Sequence, residues 1–197
     1  MNFTEEMKKN KPYIYHYKDI SPDLKSKAKN LLWEFNNLRP DNEKRKQDII
    51  KELLGTSTPL TFIESTFKCD YGFNIHFSGM AFVNYNCVML DTSPIYIGNG
   101  VFIGPGTCIS CAGHAIDATQ RSEGFGDSKP INIEDNVWLG ANCTILGGIT
   151  IGEGSIIGAG SVVTKDIPKG VIAVGNPCKV LREVTDADKW DLNNLNK

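Results

Sequence analysis

An aliphatic residue recurs at every sixth position through the later part of the chain: Ile97, Ile103 and Ile109, then Ile133, Leu139, Ile145, Ile151, Ile157 and Val163. Neither the two-residue period of a strand nor the 3.6-residue period of a helix produces a strict six. A short strand followed by a tight turn does, because each repeat then returns one side chain to the same inward direction. Gly follows the aliphatic residue in IGNG, IGPG, LGAN, IGEG and IGAG, and small Thr107, Cys143, Ser155 and Ser161 stand four residues after it. Three such units close one triangular coil, and stacked coils pair their backbone groups above and below, which predicts a parallel β-helix. Upstream, Ile63, Cys69, Ile75, Ala81 and Cys87 are also six apart before the phase slips through DTSP at 91–94, so the coil is expected to begin near residue 60.

Residues 21–54 follow helical spacing instead, with Leu24, Ala28, Leu31, Leu32 and Phe35 on one face. Ser21 is the expected cap of this helix and Pro22 its first position. LRPD breaks it, and Asp41 is the expected cap of a second helix carrying Ile49, Ile50, Leu53 and Leu54, with Gly55 as its stop. The expected division is a helical segment over 1–56, a β-helix over 57–183 and a tail over 184–197.

The rhythm has one large interruption. Ile109 and Ile133 are a multiple of six apart, yet AIDATQRSEGFGDSKP at 115–130 has no aliphatic residue in phase. The chain leaves the coil and returns in register, and a long excursion from a regular scaffold predicts an ordered loop that shapes a site. His114 stands at its foot. An imidazole, which ordinarily titrates near neutral pH, suits removal of a proton from a substrate hydroxyl or amine.

Composition narrows the partners. With 21 Lys and Arg against 23 Asp and Glu there is no broad basic footprint, so no nucleic acid is expected. No apolar run reaches membrane-span length and MNFTEEMKKNKPY lacks a secretory pattern, so a cytoplasmic protein without a membrane partner is expected. The six cysteines are then read as reduced and packed. Cys108, Cys111 and His114 offer three zinc ligands but no fourth at short spacing, and no helix start follows the CxxC, so neither a metal nor a redox site is expected. His16, His76 and His114 lie on dissimilar elements, which argues against a zinc hydratase on the same scaffold. A non-catalytic scaffold or binding module is the alternative.

Longer blocks carry a family resemblance. CDYGFNIH (69–76), VNYNCVMLD (83–91), INIEDNVWLGANCTILGGITIGEGSIIGAGSVVTKDIP (131–168) and AVGNPCKVLREV (173–184), with the break at His114 and the WEFN of the helical head, resemble the maltose and galactoside O-acetyltransferases over nearly the whole chain. The resemblance implies a mainly β protein, a left-handed parallel β-helix with an N-terminal helical hairpin and a protruding loop. It implies an acetyl-CoA-dependent O-acetyltransferase acting on a sugar or other small hydroxylated acceptor, as a homotrimer with active sites between subunits. By position, His114 matches the general base, and Asp70 and Asn84 match acceptor-binding residues. Trp138 falls beside the acetyl end of the cofactor. The N–H of Ala141 faces the oxyanion, and Ala141 and Ala159 are small enough for the pantetheine arm to lie against the coil. Thr164, Lys165, Lys179 and Arg182 cluster where cations meet phosphates. Two departures are present. Gly126 stands where the family usually carries an acid, with Asp127 or Glu123 as replacements. An N-terminal Asp of the family has no clear counterpart, the region holding Tyr15, His16 and Asp19. The acceptor is therefore left open.

Overall fold

The computed structural model describes residues 3–21 and 23–192. Ahead of the coil lie α1 (Phe3–Met7), β1 (Tyr13–His16), α2 (Leu24–Asn37) and α3 (Glu43–Leu53). The apolar faces of α2 and α3 bury Ala28, Leu31, Leu32, Phe35, Ile49, Ile50 and Leu53 in one cluster with Ile63, Phe67 and Ile75. The hairpin thus covers an end of the coil that would otherwise expose apolar side chains to water. Arg45 grips Glu34 with two parallel bonds of 2.6 and 2.7 Å across the hairpin.

The helix ends differ from expectation. Asp23, not Ser21, flanks α2, and Asn42, not Asp41, flanks α3; neither side chain makes a cap bond. Backbone turns close both starts instead, Leu24 N–H donating to Ser21 C=O and Asn42 N–H to Arg39 C=O. Pro22 lies outside the described residues. Gly55 is not a left-handed stop. A side chain there would strike the Phe73 carbonyl and come within 2.5 Å of His76 Cε1, so close approach to the first coil demands the glycine.

The coils follow in order. The first holds β2 (Thr61–Ile63), β3 (Lys68–Cys69) and β4 (Ile75–Phe77); the second β5 (Ala81–Val83), β6 (Val88–Leu90) and β7 (Ile95–Ile97). The third holds β8 (Val101–Ile103) and β9 (Cys108–Ser110), then the excursion of β10 (Ala112–His114), α4 (Ala118–Glu123) and β11 (Phe125–Ser128), and closes with β12 (Ile131–Ile133). The fourth is β13 (Trp138–Leu139), β14 (Thr144–Leu146) and β15 (Thr150–Ile151). The fifth is β16 (Ile156–Ile157), β17 (Val162–Val163) and a bridge from Ile167 to Ile151. β18 (Val171–Val174) opens a sixth turn, and β19 (Lys179–Glu183) folds back antiparallel upon it.

Strands of like position stack into three sheets: β2-β5-β8-β13-β16-β18 with β19, β3-β6-β9-β14-β17, and β4-β7-β12-β15. The chain is a parallel β-helix. Its nine in-phase aliphatic residues from Ile97 to Val163 are all buried.

The upstream series is corrected by the register. Ile63 pairs with Val83 and Val83 with Ile103, while Phe77 pairs with Ile97. Ile75 and Ala81 belong to a second inward row with Ile95 and Val101. The phase therefore slips twice by two residues, at 70–74 as well as at 91–94. Because a strand buries alternate residues, a two-residue insertion carries the chain from one inward row to the other and leaves a spacing of six intact. These inserted pairs build the corners that carry Asp70 and Asp91.

The recurrent glycines divide into two kinds. A Cβ on Gly140 would meet Ala159 N at 2.6 Å, so glycine after the aliphatic residue permits close stacking of coils. The left-handed turn falls two residues later, at Asn142 (φ 56°) in the same unit. Among the described residues no helix is long and apolar enough to cross a membrane.

Candidate active site

The excursion is a built element. β10 and β11 pair antiparallel, and β1 joins the outer side of β11, in the order β1-β11-β10. Asp117 caps α4 by accepting from Gln120 N–H at 2.9 Å, and Gly124 ends it in the left-handed region. Arg121 donates to the carbonyls of Ala115 and Ile116 at 2.9 and 2.8 Å, closing the turn on itself. At the neck, the Ser128 hydroxyl bonds Thr92 Oγ1 at 2.6 Å and Ser93 Oγ at 2.7 Å. Tyr13 donates to the Thr92 carbonyl, and burial pushes its phenol up to about 12.

Registered residues of an antiparallel pair project to the same face. One row is His114, Gly126 and Tyr15; the next is Gly113, Asp127 and Ile14, on the opposite face. β10 is the edge strand, so the exposed His114 is open to approach, and it has no hydrogen-bond or ion-pair partner among the described residues. A pocket of about 650 Å³ reaches His114 between the excursion and the fourth coil, on the face that carries Ile14 and Asp127 and away from Tyr15, and is bounded also by Ile116, Phe125 and Leu146.

The other expected site residues fall into groups. Asp70, His114, Thr164 and Lys165 lie at the corner between the second and third sheets. Asn84, Ala141 and Ala159 lie at the corner between the first and second, with Trp138 exposed on the outer face of the adjoining first sheet. Lys179 and Arg182 are exposed on β19, at the end of that first sheet. One copy therefore brings His114 together with Asp70 but not with Asn84 or Trp138.

Local partners differ among them. Asp70 pairs with Lys25 at 2.5 Å. Asn84 Oδ1 accepts from Tyr85 N–H at 2.8 Å. The N–H of Ala141 donates to no acceptor among the described residues. Arg182 forks onto Asp188 at 2.6 and 2.8 Å and holds that carboxyl well below its usual range. As for the two departures, Asp127 is tied to Lys129 at 3.1 Å on the face away from Tyr15, and Glu123 sits at the end of α4. His16 stacks on Tyr17 and meets Phe125 edge-on at 5.1 Å, and Asp19 accepts from His16 N–H.

The thiols of Cys111 and Cys108 are both raised by burial, Cys111 to about 12, so neither is poised as a thiolate at neutral pH. Among the described residues no three His, Cys, Asp or Glu side chains gather as a metal site.

Asp91 escaped the reading of site residues, though it closes the VNYNCVMLD block at a phase slip. It is fully buried and accepts from the N–H groups of Asp70 (3.0 Å), Tyr71 (2.8 Å) and Asn74 (3.3 Å), which shapes the turn presenting Asp70. Burial outweighs these bonds and pushes its carboxyl up to about 6 from 3.8. The folded state therefore holds this proton more tightly than the unfolded chain. The associated stability is complete below about pH 4 and lost as pH rises through about 6, a difference of about 3 kcal/mol. In urea titrations at fixed protein concentration, the native protein is expected to lose this increment across that window relative to Asp91→Asn. Parallel pH profiles for the two proteins would refute the assignment.

Residues 7–58 match the maltose acetyltransferase hexapeptide capping motif, and residues 130–165 match the bacterial transferase hexapeptide (six repeats). The galactoside O-acetyltransferase of Escherichia coli K12 is 39% identical over 168 residues, which cover 85% of this chain and 83% of that protein. The chain belongs to the maltose/galactoside O-acetyltransferase family. Two solved structures of hexapeptide-repeat acetyltransferases extend the match to shape. A maltose O-acetyltransferase from Clostridium difficile 630 superposes with a TM-score of 0.86 at 38% identity, covering 94% of this chain and 99% of that one. A hexapeptide-repeat acetyltransferase from Vibrio cholerae, complexed with acetyl-CoA, also gives 0.86, at 36% identity, with 94% of this chain and 100% of that one covered. As a member of this family, the protein is an acetyltransferase.

Proposed function

We propose that the protein moves the acetyl group of acetyl-CoA to a hydroxyl of a sugar or other small hydroxylated acceptor by direct attack, with His114 as general base, at sites shared between neighbouring copies in a homotrimer. The carrying observation is His114 itself: an exposed imidazole with no hydrogen-bond or ion-pair partner among the described residues, at the edge of an ordered excursion and lining a pocket of about 650 Å³. The acetyl-CoA complex of the Vibrio cholerae relative supports the cosubstrate.

His114 takes the proton of the acceptor hydroxyl as its oxygen attacks the thioester carbonyl. The C–O bond forms, the C–S bond breaks, and the proton passes to the departing sulfur, giving an acetyl ester and coenzyme A. No acetyl-enzyme is needed. The unengaged N–H of Ala141 is suited to the developing oxyanion. Ala141 and Ala159, on closely stacked corners, leave room for the pantetheine arm. Trp138 flanks the acetyl end, and Thr164, Lys165, Lys179 and Arg182 receive the phosphates. Asp70 and Asn84 hold the acceptor.

His114 and Asp70 occupy one corner of the β-helix and Asn84, Ala141 and Ala159 another, so a second copy must face its Asn84 corner toward His114 of the first. A heterologous contact of this kind closes into a ring. The apolar ladder of Phe62, Phe82, Phe102 and Trp138 on the first sheet, all but Phe82 about half exposed, supplies a surface for it.

Release of free thiol from acetyl-CoA, followed over a panel of neutral hydroxylated acceptors that includes maltose and galactosides, tests this reading. Acceptor-dependent release and saturable coenzyme A binding by calorimetry are expected. Absence of both would remove the transferase reading.

A further inference from the structure

The outer row of the third sheet is of a different character from that of the first. Thr56, His76, Tyr96, Asn132 and Thr150 follow one another along it in register, and each carries a hydrogen-bonding side chain. This face is polar where the first is aromatic. At its edge, on the corner between the third and first sheets, a cleft of about 440 Å³ is lined by His76, Tyr96, Asn132, Glu134 and Asp135 around Gly98. It shares no residue with the pocket that reaches His114. His76 stacks on Tyr96 with ring centroids 5.2 Å apart and planes 21° from parallel, and its Nδ1 lies 3.4 Å from Thr56 Oγ1. Burial pushes the imidazole below the usual histidine range, so it is neutral at pH 7. Glu134 Oε2 accepts from Glu153 N–H at 2.9 Å and Asp135 Oδ1 from Asn99 N–H at 2.8 Å, which ties one oxygen of each carboxylate to a neighbouring coil. A side chain at Gly98 would strike Asp135 Oδ1, so glycine there lets the carboxylate lie across the turn. Among the described residues, His76 Nε2, Tyr96 Oη, the Asn132 amide, Glu134 Oε1 and Asp135 Oδ2 are left without hydrogen-bond partners.

We propose that this cleft is a second, non-catalytic site and that it binds a neutral saccharide. A sugar hydroxyl both donates and accepts, and the unengaged groups supply both: the phenol and the amide N–H as donors, the carboxylate oxygens as acceptors, the neutral imidazole as either. The match is to a ligand of mixed character. An anion would use only the donors and would meet two carboxylates, with no lysine or arginine in the lining to hold it. An ammonium ion would use only the acceptors, and the ring faces that attract a cation are turned onto each other within the stack. The volume falls in the range of small-molecule sites, roughly 300–1,000 Å³. The inference does not depend on acetyl transfer at His114, so either reading can fail alone.

The test is calorimetric titration of the whole protein with maltotriose, cellobiose and lactose, and with phosphate and ethanolamine as charged probes. At least one saccharide is expected to bind saturably to the native protein. Tyr96→Phe keeps the stacked ring and removes only its hydroxyl, and Asn132→Ala removes the amide from an outward position. Each is expected to weaken that binding roughly ten-fold, with thiol release from acetyl-CoA unchanged in kcat and acceptor KM. Two variants on neighbouring strands keep the result readable if one of them fails to fold. Absence of saturable saccharide binding by the native protein, or binding that both variants leave intact, overturns the proposal. So does binding of phosphate or ethanolamine in place of a saccharide. A fall in thiol release in step with the lost binding would place these groups in the catalytic site and overturn the separation of the two. Saccharide binding that is lost in the variants, from a native protein that releases no thiol, would remove the transferase reading and leave this one.

Discussion

Turnover by His114→Ala is expected to fall roughly 10²- to 10⁴-fold below the native rate, the range by which a positioned general base accelerates proton transfer. The loss should appear in kcat, because the imidazole acts as the acceptor oxygen develops nucleophilic character and contributes little to binding the cosubstrate. Coenzyme A affinity by calorimetry is expected to match the native protein. Stability is expected to match too: His114 is exposed at the end of an edge strand, its side chain has no hydrogen-bond or ion-pair partner among the described residues, and it lies outside the buried clusters. Such a variant separates catalysis from folding cleanly. A native rate from it would leave the family assignment standing and remove the mechanism.

Mixing two inactive proteins should restore activity. Asn84→Ala lacks the acceptor contact on one corner, and His114→Ala lacks the base on another. When the two are unfolded together in equal amounts and refolded, a site formed between copies is intact wherever His114 of an Asn84→Ala copy faces Asn84 of a His114→Ala copy. Random assembly makes roughly a quarter of the sites complete, so activity is expected near that fraction of native. Were both residues to act within one copy, every site would lack one of them, and the mixture would stay as inactive as its parents. Thiol release by the refolded mixture, compared with each variant refolded alone, reads the difference directly.

The inward rows of the coil were legible because each hexapeptide states its own requirement: one aliphatic side chain that must leave water, then a turn that tolerates Gly or Asn. Ile103, Leu139 and Ile157 could be placed above one another from spacing alone, and their observed pairing follows. The earlier coils were less legible for a physical reason. Ile75 and Ala81 kept the spacing of six while changing rows, since both rows are buried and an inserted pair disturbs neither. The position of His114 at the break was visible, and so was the departure at Gly126. The reason for Gly126 was not, because the side chain that fills its space comes from Tyr15 at the other end of the chain.

The sequence by itself determined the β-helix, the helical hairpin over its end, an interruption read at 115–130 and the candidate base at its foot, all through local periodicity that burial enforces residue by residue; the structure begins the excursion earlier, at Ala112. Only the tertiary structure decided what surrounds the base. β1 has no strong pattern of its own and becomes a strand because the edge of β11 offers unpaired N–H and C=O groups, which select a partner by position in space and not by spacing along the chain. That pairing sets Tyr15 across a glycine from His114, and the folding of the coil sets Asn84 on a different corner from both.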